Sequence, residues 1–174
     1  MYAVIMAGGK GARFWPKSRE KMPKHLLDIV SPRTIIQETV ERIAPLIPEK
    51  NILIVTGQSH ADELMRQVPR IPRENIIIEP LGRNTAPCIG LAGLHIKRKS
   101  PHAVMVVLPA DHLITGASRF RRLLSTASKI ANSGNCLVTI GIKPTGPETG
   151  YGYIERGSLH AKVEGTDVFA VKSV

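Results

Sequence analysis

Apolar stretches of strand length alternate with segments of helical period along most of the chain. Residues 2–7 form a continuous apolar run and predict a buried strand, and residues 34–46 place Ile35, Ile36, Val40 and Ile43 on one helical face. Residues 52–56 predict a second central strand, followed by a helix over 59–67, and Ile76–Glu79 is strand-like. A long helix is expected over 84–99, with Asn84 at its N-cap and Lys97, Arg98 and Lys99 at its negative C-terminal end. The most apolar strand covers 103–108, the next helix 118–132, and a further strand 136–142. This alternation predicts an α/β fold, a mostly parallel sheet with helices on both faces.

The pattern changes after Lys143. Residues 144–150 are rich in Pro and Gly, and the short apolar segments 151–155, 161–164 and 168–171 read as strands without helices. The chain stops at Val174 with no capping helix, so a domain whose sequence ends early is expected. At 174 residues, 43% hydrophobic and 22% charged, it has the size and composition of one folded domain rather than a disordered tail. No run approaches the ~20 apolar residues that cross a bilayer, and residues 2–7 are too short for a secretory signal, so no membrane association is expected. Cys88 and Cys136 provide neither a disulfide framework nor metal-ligand spacing; both are expected in the core, Cys88 on a helix and Cys136 in a strand. A reducing cytoplasm follows.

Charge changes the picture by its distribution. The net charge is +10, and residues 1–24 carry Lys10, Arg13, Lys17, Arg19, Lys21 and Lys24 against the single acid Glu20. Such a surface is compatible with nucleic acid, an acidic membrane or a small polyanion. No basic helix is interleaved with the few aromatic residues, which weakens a stacking surface for single strands.

The basic segment opens with Ala7-Gly8-Gly9-Lys10-Gly11-Ala12-Arg13, directly after the first strand. Glycines let backbone N–H groups approach a phosphate because no Cβ intervenes. The dinucleotide fingerprint fits Gly9 and Gly11 but needs glycine where Phe14 stands. The Walker A loop fits Gly11, Lys17 and Ser18 but needs glycine at Pro16, and proline has no N–H to donate. What remains is a glycine turn with Arg13, able to grip two phosphate oxygens, and Lys24, a point charge. Such a set suits a triphosphate bent around a loop. The plainer alternative is an ordinary turn with solvated cations.

The run Ala7-Gly8-Gly9-x-Gly11-x-Arg13-Phe14-Trp15-Pro16-x-Ser18-Arg19, with Pro23-Lys24-x-Leu26, resembles the signature of sugar-phosphate nucleotidyltransferases, and its Trp15-Pro16-x-Ser18-Arg19 portion resembles the mannose-1-phosphate guanylyltransferases. Glu79-Pro80-x-Gly82-Arg83-Asn84-Thr85-Ala86-Pro87, Leu108-Pro109-Ala110-Asp111-His112 and Thr149-Gly150-Tyr151-Gly152-Tyr153-Ile154-Glu155 are similar to later motifs of that family, in the same order. The resemblance implies a three-layer, Rossmann-like nucleotide-diphospho-sugar transferase fold, C-terminally incomplete. A nucleotide-binding half would occupy 1–143 and the start of a sugar-binding half 144–174.

The implied reaction is GMP transfer from GTP to mannose 1-phosphate, giving GDP-mannose and pyrophosphate for polysaccharide precursors. Positioning and charge neutralisation carry such chemistry. By the same resemblance Ala7, Gly8, Gly9 and Gly11 hold the nucleotide, Arg13 grips the β- and γ-phosphates, and Lys24 steadies the α-phosphoryl. Asp111 would ligate Mg²⁺, the implied cofactor; read from pattern alone it caps the turn after its strand. Guanine needs donors and acceptors together, for which Glu79, Arg83, Asn84 and Thr85 are the candidates, with Asn84 also a plain cap. Gly150, Tyr151, Gly152 and Glu155 would meet the sugar.

Trp15 is expected in the core, and His112 is expected to be structural rather than a base. His25 stands where the family usually has glutamine, while His60, His95, His102 and His160 make no ligand spacing. The family's Glu-Lys-Pro segment, whose lysine binds the sugar phosphate, does not follow residues 168–171. This chain alone is therefore expected to bind GTP weakly and to turn over poorly or not at all. Rival readings are a nucleotidyltransferase with another base or sugar, a basic nucleic-acid-binding module without catalysis, and a subunit fragment that folds or dimerises only with a partner. GMP transfer to mannose 1-phosphate is preferred to all three, with no nucleic-acid partner and a homo-oligomer allowed.

Overall fold

The computed structural model describes residues 1–8, 23–28, 31–134 and 136–174. Gly9, Gly11, Arg13 and Trp15 lie outside the described residues. The chain divides into two compact units, Met1–Arg121 and Arg122–Val174.

In the first unit the strands β1 (Tyr2–Met6), β2 (Ile52–Gly57), β3 (Ile76–Glu79) and β4 (Met105–Pro109) form one sheet in the order β3–β2–β1–β4. Every pairing is parallel, with Ala3 opposite Ile52 and Val106, and Ile54 opposite Ile76. Parallel strands need crossovers. These are supplied by α1 (Ile35–Ile43), α2 (Gln58–Gln67) and α3 (Thr85–Lys99).

The central strands are apolar throughout because both their faces are covered. Ala3, Val4, Ile5, Ile52, Leu53, Ile54 and Val55 are all fully buried, and each of the Val, Leu and Ile side chains contributes about 1.5–3 kcal/mol when removed from water. On one face Val4, Leu53, Val55 and Ile77 pack with Cys88, Ala92 and Ile96 of α3. The chain steps outward from β1 to β3 and then returns across β1 to β4, so right-handed crossovers put α1 and α2 on the opposite face. Asn75 ties the layers at the sheet's lower end. Its buried Nδ2 donates to the carbonyls of Lys50 (2.9 Å) and Ile52 (3.0 Å), and its Oδ1 accepts from Lys99 (3.0 Å).

Helix α4 (Ala117–Gly134) contains the division between the units. In the second unit β5 (Glu155–Val163) and β6 (Thr166–Ser173) form an antiparallel hairpin. Val163 pairs with Thr166, leaving the two-residue turn Glu164-Gly165, both with positive φ (49° and 76°). That is the primed turn whose twist matches a hairpin, which explains the glycine. The Glu164 carboxylate is held by Lys129, and by Thr126 at 3.4 Å.

Two expectations change here. Residues 136–142, apolar enough for a strand, carry no regular structure, and Leu137 and Ile142 are exposed. An extended segment becomes a strand only where a neighbour completes its ladder of hydrogen bonds, and no strand among the described residues pairs with it. For the same reason Cys136 is exposed rather than in the core, whereas Cys88 is buried as expected. Among the described residues no helix is long and apolar enough to cross a membrane.

Candidate active site

The order β3–β2–β1–β4 reverses direction between β1 and β4. In open parallel sheets the crevice beyond the carboxyl ends of two such strands is where ligands bind. Ala7 and Gly8 follow β1 at this point, and Ala110 and Asp111 follow β4. The backbone of both strand ends is fixed. Ala7 donates to Val55 O (2.8 Å) and Ala110 to Met6 O (3.0 Å). The buried Thr56 hydroxyl donates to Ala7 O at 3.1 Å, and the buried Thr39 hydroxyl reaches both Ile35 O (2.9 Å) and Ala110 O (3.4 Å).

Gly8 is exposed, and Glu79 at the end of β3 stands beside it; a Cβ at Gly8 would lie 3.5 Å from Oε2 of Glu79. A backbone without a side chain beside a carboxylate leaves room and one acceptor. Lys24, on a short 3-10 turn (Lys24–Leu26), forms an ion pair with Asp111, their side chains about one quarter exposed (22% and 26%). Residues 87 positions apart in sequence thus meet at the switch point.

Beside this pair the His25 ring is buried, 3% exposed, and meets His60 of α2 edge-on, centroids 6.1 Å apart at 85°. Burial above all, then His60, lowers the His25 pKa from 6.5 to about 4; Lys24 adds to the fall and Asp111 opposes it. The ring is therefore neutral at pH 7, and its Nε2 has no hydrogen-bond partner among the described residues. Cys88, buried at the start of α3, has its thiol pushed up to about 11, first by burial and then by the charge of Glu79.

Arg83, Asn84 and Thr85 are exposed at the N-terminus of α3, where unpaired N–H groups and the helix dipole favour anions and carbonyl oxygens. Asn84 occupies the expected N-cap position, but its side chain makes no capping bond. Its φ of 66° and ψ of −162° explain why: that region is essentially glycine's and costs about 1–3 kcal/mol for other residues. The simple cap is thereby corrected to a strained turn that leaves the side-chain amide uncommitted to the helix end.

In the second unit Gly150, Tyr151, Gly152 and Glu155 are exposed. Gly150 N–H donates to the Glu148 carboxylate (2.9 Å), and Tyr151 lines an open cavity of about 800 Å³ with Pro144, Thr149 and Tyr153. Glu155 begins β5 rather than ending a strand. It pairs with Lys172 (2.5 Å) and accepts from Ser173 (3.0 Å), contacts that hold its carboxyl below the usual range.

The structure therefore gathers Ala7, Gly8, Lys24, Glu79 and Asp111 at one end of the first unit's sheet, with Arg83–Thr85 following β3. His112 is exposed. The supporting residues Thr39, Thr56, His60 and Gln67 were not singled out by motif, although His60 and Gln67 share one helical face. Among the described residues no group of three or more His, Cys, Asp and Glu could hold a metal ion. Asp111 alone fits the way Mg²⁺ is usually bound, by one or two carboxylates with substrate phosphates and water.

The switch point of the parallel sheet thus brings together exposed Gly8, a lysine and a carboxylate. The family description "Nucleotidyl transferase" matches residues 2–168, and the chain belongs to that family. It is 43% identical over 175 residues to a mannose-1-phosphate guanylyltransferase of Escherichia coli (strain K12), covering 98% of this chain and 36% of that protein. It is 42% identical over 167 residues to mannose-1-phosphate guanylyltransferase 2 of Escherichia coli O157:H7, covering 94% and 34%. A crystal structure described as a mannose-1-phosphate geranyltransferase from Thermus thermophilus superposes with a TM-score of 0.82 at 37% identity, over 92% of this chain and 47% of that one. The chain spans about a third of the length of the curated relatives it matches.

Proposed function

We propose that the switch-point site binds GTP and transfers its GMP moiety to mannose 1-phosphate. A phosphate oxygen of the sugar phosphate attacks the α-phosphorus in line, and the bond from that phosphorus to the β-phosphate oxygen breaks. GDP-mannose and pyrophosphate leave. The attacking oxygen is already anionic, so no general base is required, in keeping with the exposed position of His112.

The observation that carries this reading is the Lys24–Asp111 pair at the β1/β4 switch point, in a chain whose full span aligns with guanylyltransferases. Lys24 brings positive charge to the α-phosphoryl where negative charge grows. Gly8, with Gly9, Gly11 and Arg13 that follow it in sequence, receives the polyphosphate. Glu79 and the Arg83–Thr85 turn offer guanine the acceptors and donors it needs. Asp111 would hold Mg²⁺, which when bound supplies Lewis-acid neutralisation of the phosphates. Gly150, Tyr151, Gly152 and Glu155 take the sugar in the half beginning at residue 144. The compartment this reading requires is the cytoplasm, with which two free cysteines agree.

Calorimetric titration with GTP, ATP, UTP and dTTP in the presence of Mg²⁺ tests the reading, followed by pyrophosphate release on adding mannose 1-phosphate. Preferential GTP binding, with any release dependent on mannose 1-phosphate, supports it. Equal affinity for all four triphosphates, or none for GTP, overturns it.

A further inference from the structure

Lysine is a point charge on a flexible four-carbon stem, so a lysine that must meet one phosphoryl group needs its backbone fixed. Lys24 lies on a turn of only three residues, and the turn's own bonds, Leu26 N–H to Pro23 O (3.0 Å) and Leu27 N–H to Lys24 O (3.1 Å), do not tie it to the sheet. Two contacts from α2 tie it to that helix. The ring of His60 meets the His25 ring edge-on, and Nε2 of Gln67 donates to Leu26 O at 3.3 Å. His60 and Gln67 are seven positions apart, two turns of helix, and so share one face. Leu64, fully buried, lies between them.

Gln67 is itself held. Its Nε2 also donates to Glu63 Oε1 (2.9 Å), and its backbone carbonyl accepts from Gln37 Nε2 (2.9 Å), whose Oε1 caps the N–H of Thr34 (3.0 Å). A second strut comes from α1, where Ile35 N–H donates to Leu27 O (3.1 Å). The turn is thus gripped at His25 and Leu26, the two residues that follow Lys24, while the lysine side chain is left to reach Asp111.

We propose that the inner face of α2 is the positioning surface of the nucleotide site: His60, through His25, and Gln67, through the Leu26 carbonyl, set the place from which Lys24 acts. They are positioning residues and touch no substrate. What Lys24 does there rests on the nucleotidyl-transfer reading; that α2 places it does not.

The test reads Lys24 directly. Lysines of the whole chain are reductively methylated with ¹³C-formaldehyde, and the dimethyl-Lys24 signal is assigned by its loss in Lys24→Arg. In the wild type this signal should move when Asp111→Asn removes the paired charge. In Gln67→Leu and His60→Ala that movement should fall by at least half, and His60→Phe, which keeps an aromatic edge, should restore it. Thermal melts identify the folded variants, and Gln67, half-buried at the end of its helix, provides one suited to remaining folded. An undiminished response to Asp111→Asn in folded Gln67→Leu or folded His60→Ala, or a response in folded His60→Phe as weak as that of folded His60→Ala, would overturn the proposal. Adding GTP is a separate arm: a Lys24 signal indifferent to GTP would overturn the nucleotide reading and leave the anchoring result standing.

Discussion

Replacing His25 by glutamine separates one buried titration from everything else the fold does with acid. In the folded chain the imidazole's pKa is lowered from 6.5 to about 4, chiefly because its charged form would have to be buried, with His60 adding to the effect. The sign follows from proton counting. Above about pH 6.5 neither the folded nor the unfolded chain carries this proton, and the full stability is present. Below it the unfolded chain takes up the proton while the folded chain does not, so stability falls until the folded ring also protonates near pH 4. The loss reaches about 2.5 kcal/mol at pH 4.5 and levels off near about 3 kcal/mol. Urea denaturation of wild type and His25→Gln at pH 7.5, 6.5, 5.5 and 4.5 measures it, because acid effects of groups that do not interact with residue 25 cancel in the difference. The wild type should lose about 2.5 kcal/mol more than the variant across that range. A difference between the two that does not change with pH would refute the burial argument.

Other consequences can be checked as simply. Asn75→Leu removes two donations to backbone carbonyls and strands the Lys99 ammonium by deleting its acceptor; the chain should lose about 2–3 kcal/mol by urea denaturation, and a loss below about 0.5 kcal/mol would contradict the bonding described. Cys88, buried with its thiol pushed up to about 11, should react with a thiol reagent at pH 8 about 100-fold more slowly than an unperturbed thiol, whereas exposed Cys136 should label readily; equal rates would show that α3 opens easily.

The parallel sheet was legible because burial on both faces writes continuous apolar runs, as in Ala3–Ile5 and Ile52–Val55, and Ile76–Glu79 agrees with its strand residue for residue. Helix ends shifted by one to three residues, since a periodic pattern marks the buried face and not the last turn. Residues 136–142 show the limit. Their composition suits a strand, but pairing depends on a neighbour that local sequence does not specify. Lys24 and Asp111 could be singled out by motif, yet their meeting depends on the return of the chain from β3 across β1 to β4. The α2 face was missed for a related reason. His60 looks like a scattered histidine until His25 is placed against it, and Gln67 carries no motif at all. Asn84 had the chemistry of a cap, but only its backbone angles reveal that the side chain is not used as one.

In the proposed function Lys24 stands at the switch point to meet a nucleoside polyphosphate. Calorimetric titration of GTP into the wild type and Lys24→Ala, with Mg²⁺, tests it most directly. Loss of a charged contact worth about 1.5–3 kcal/mol predicts affinity at least tenfold weaker, more so because Asp111 would then face the phosphates without its cation. Unchanged GTP affinity in a folded Lys24→Ala chain would contradict the account.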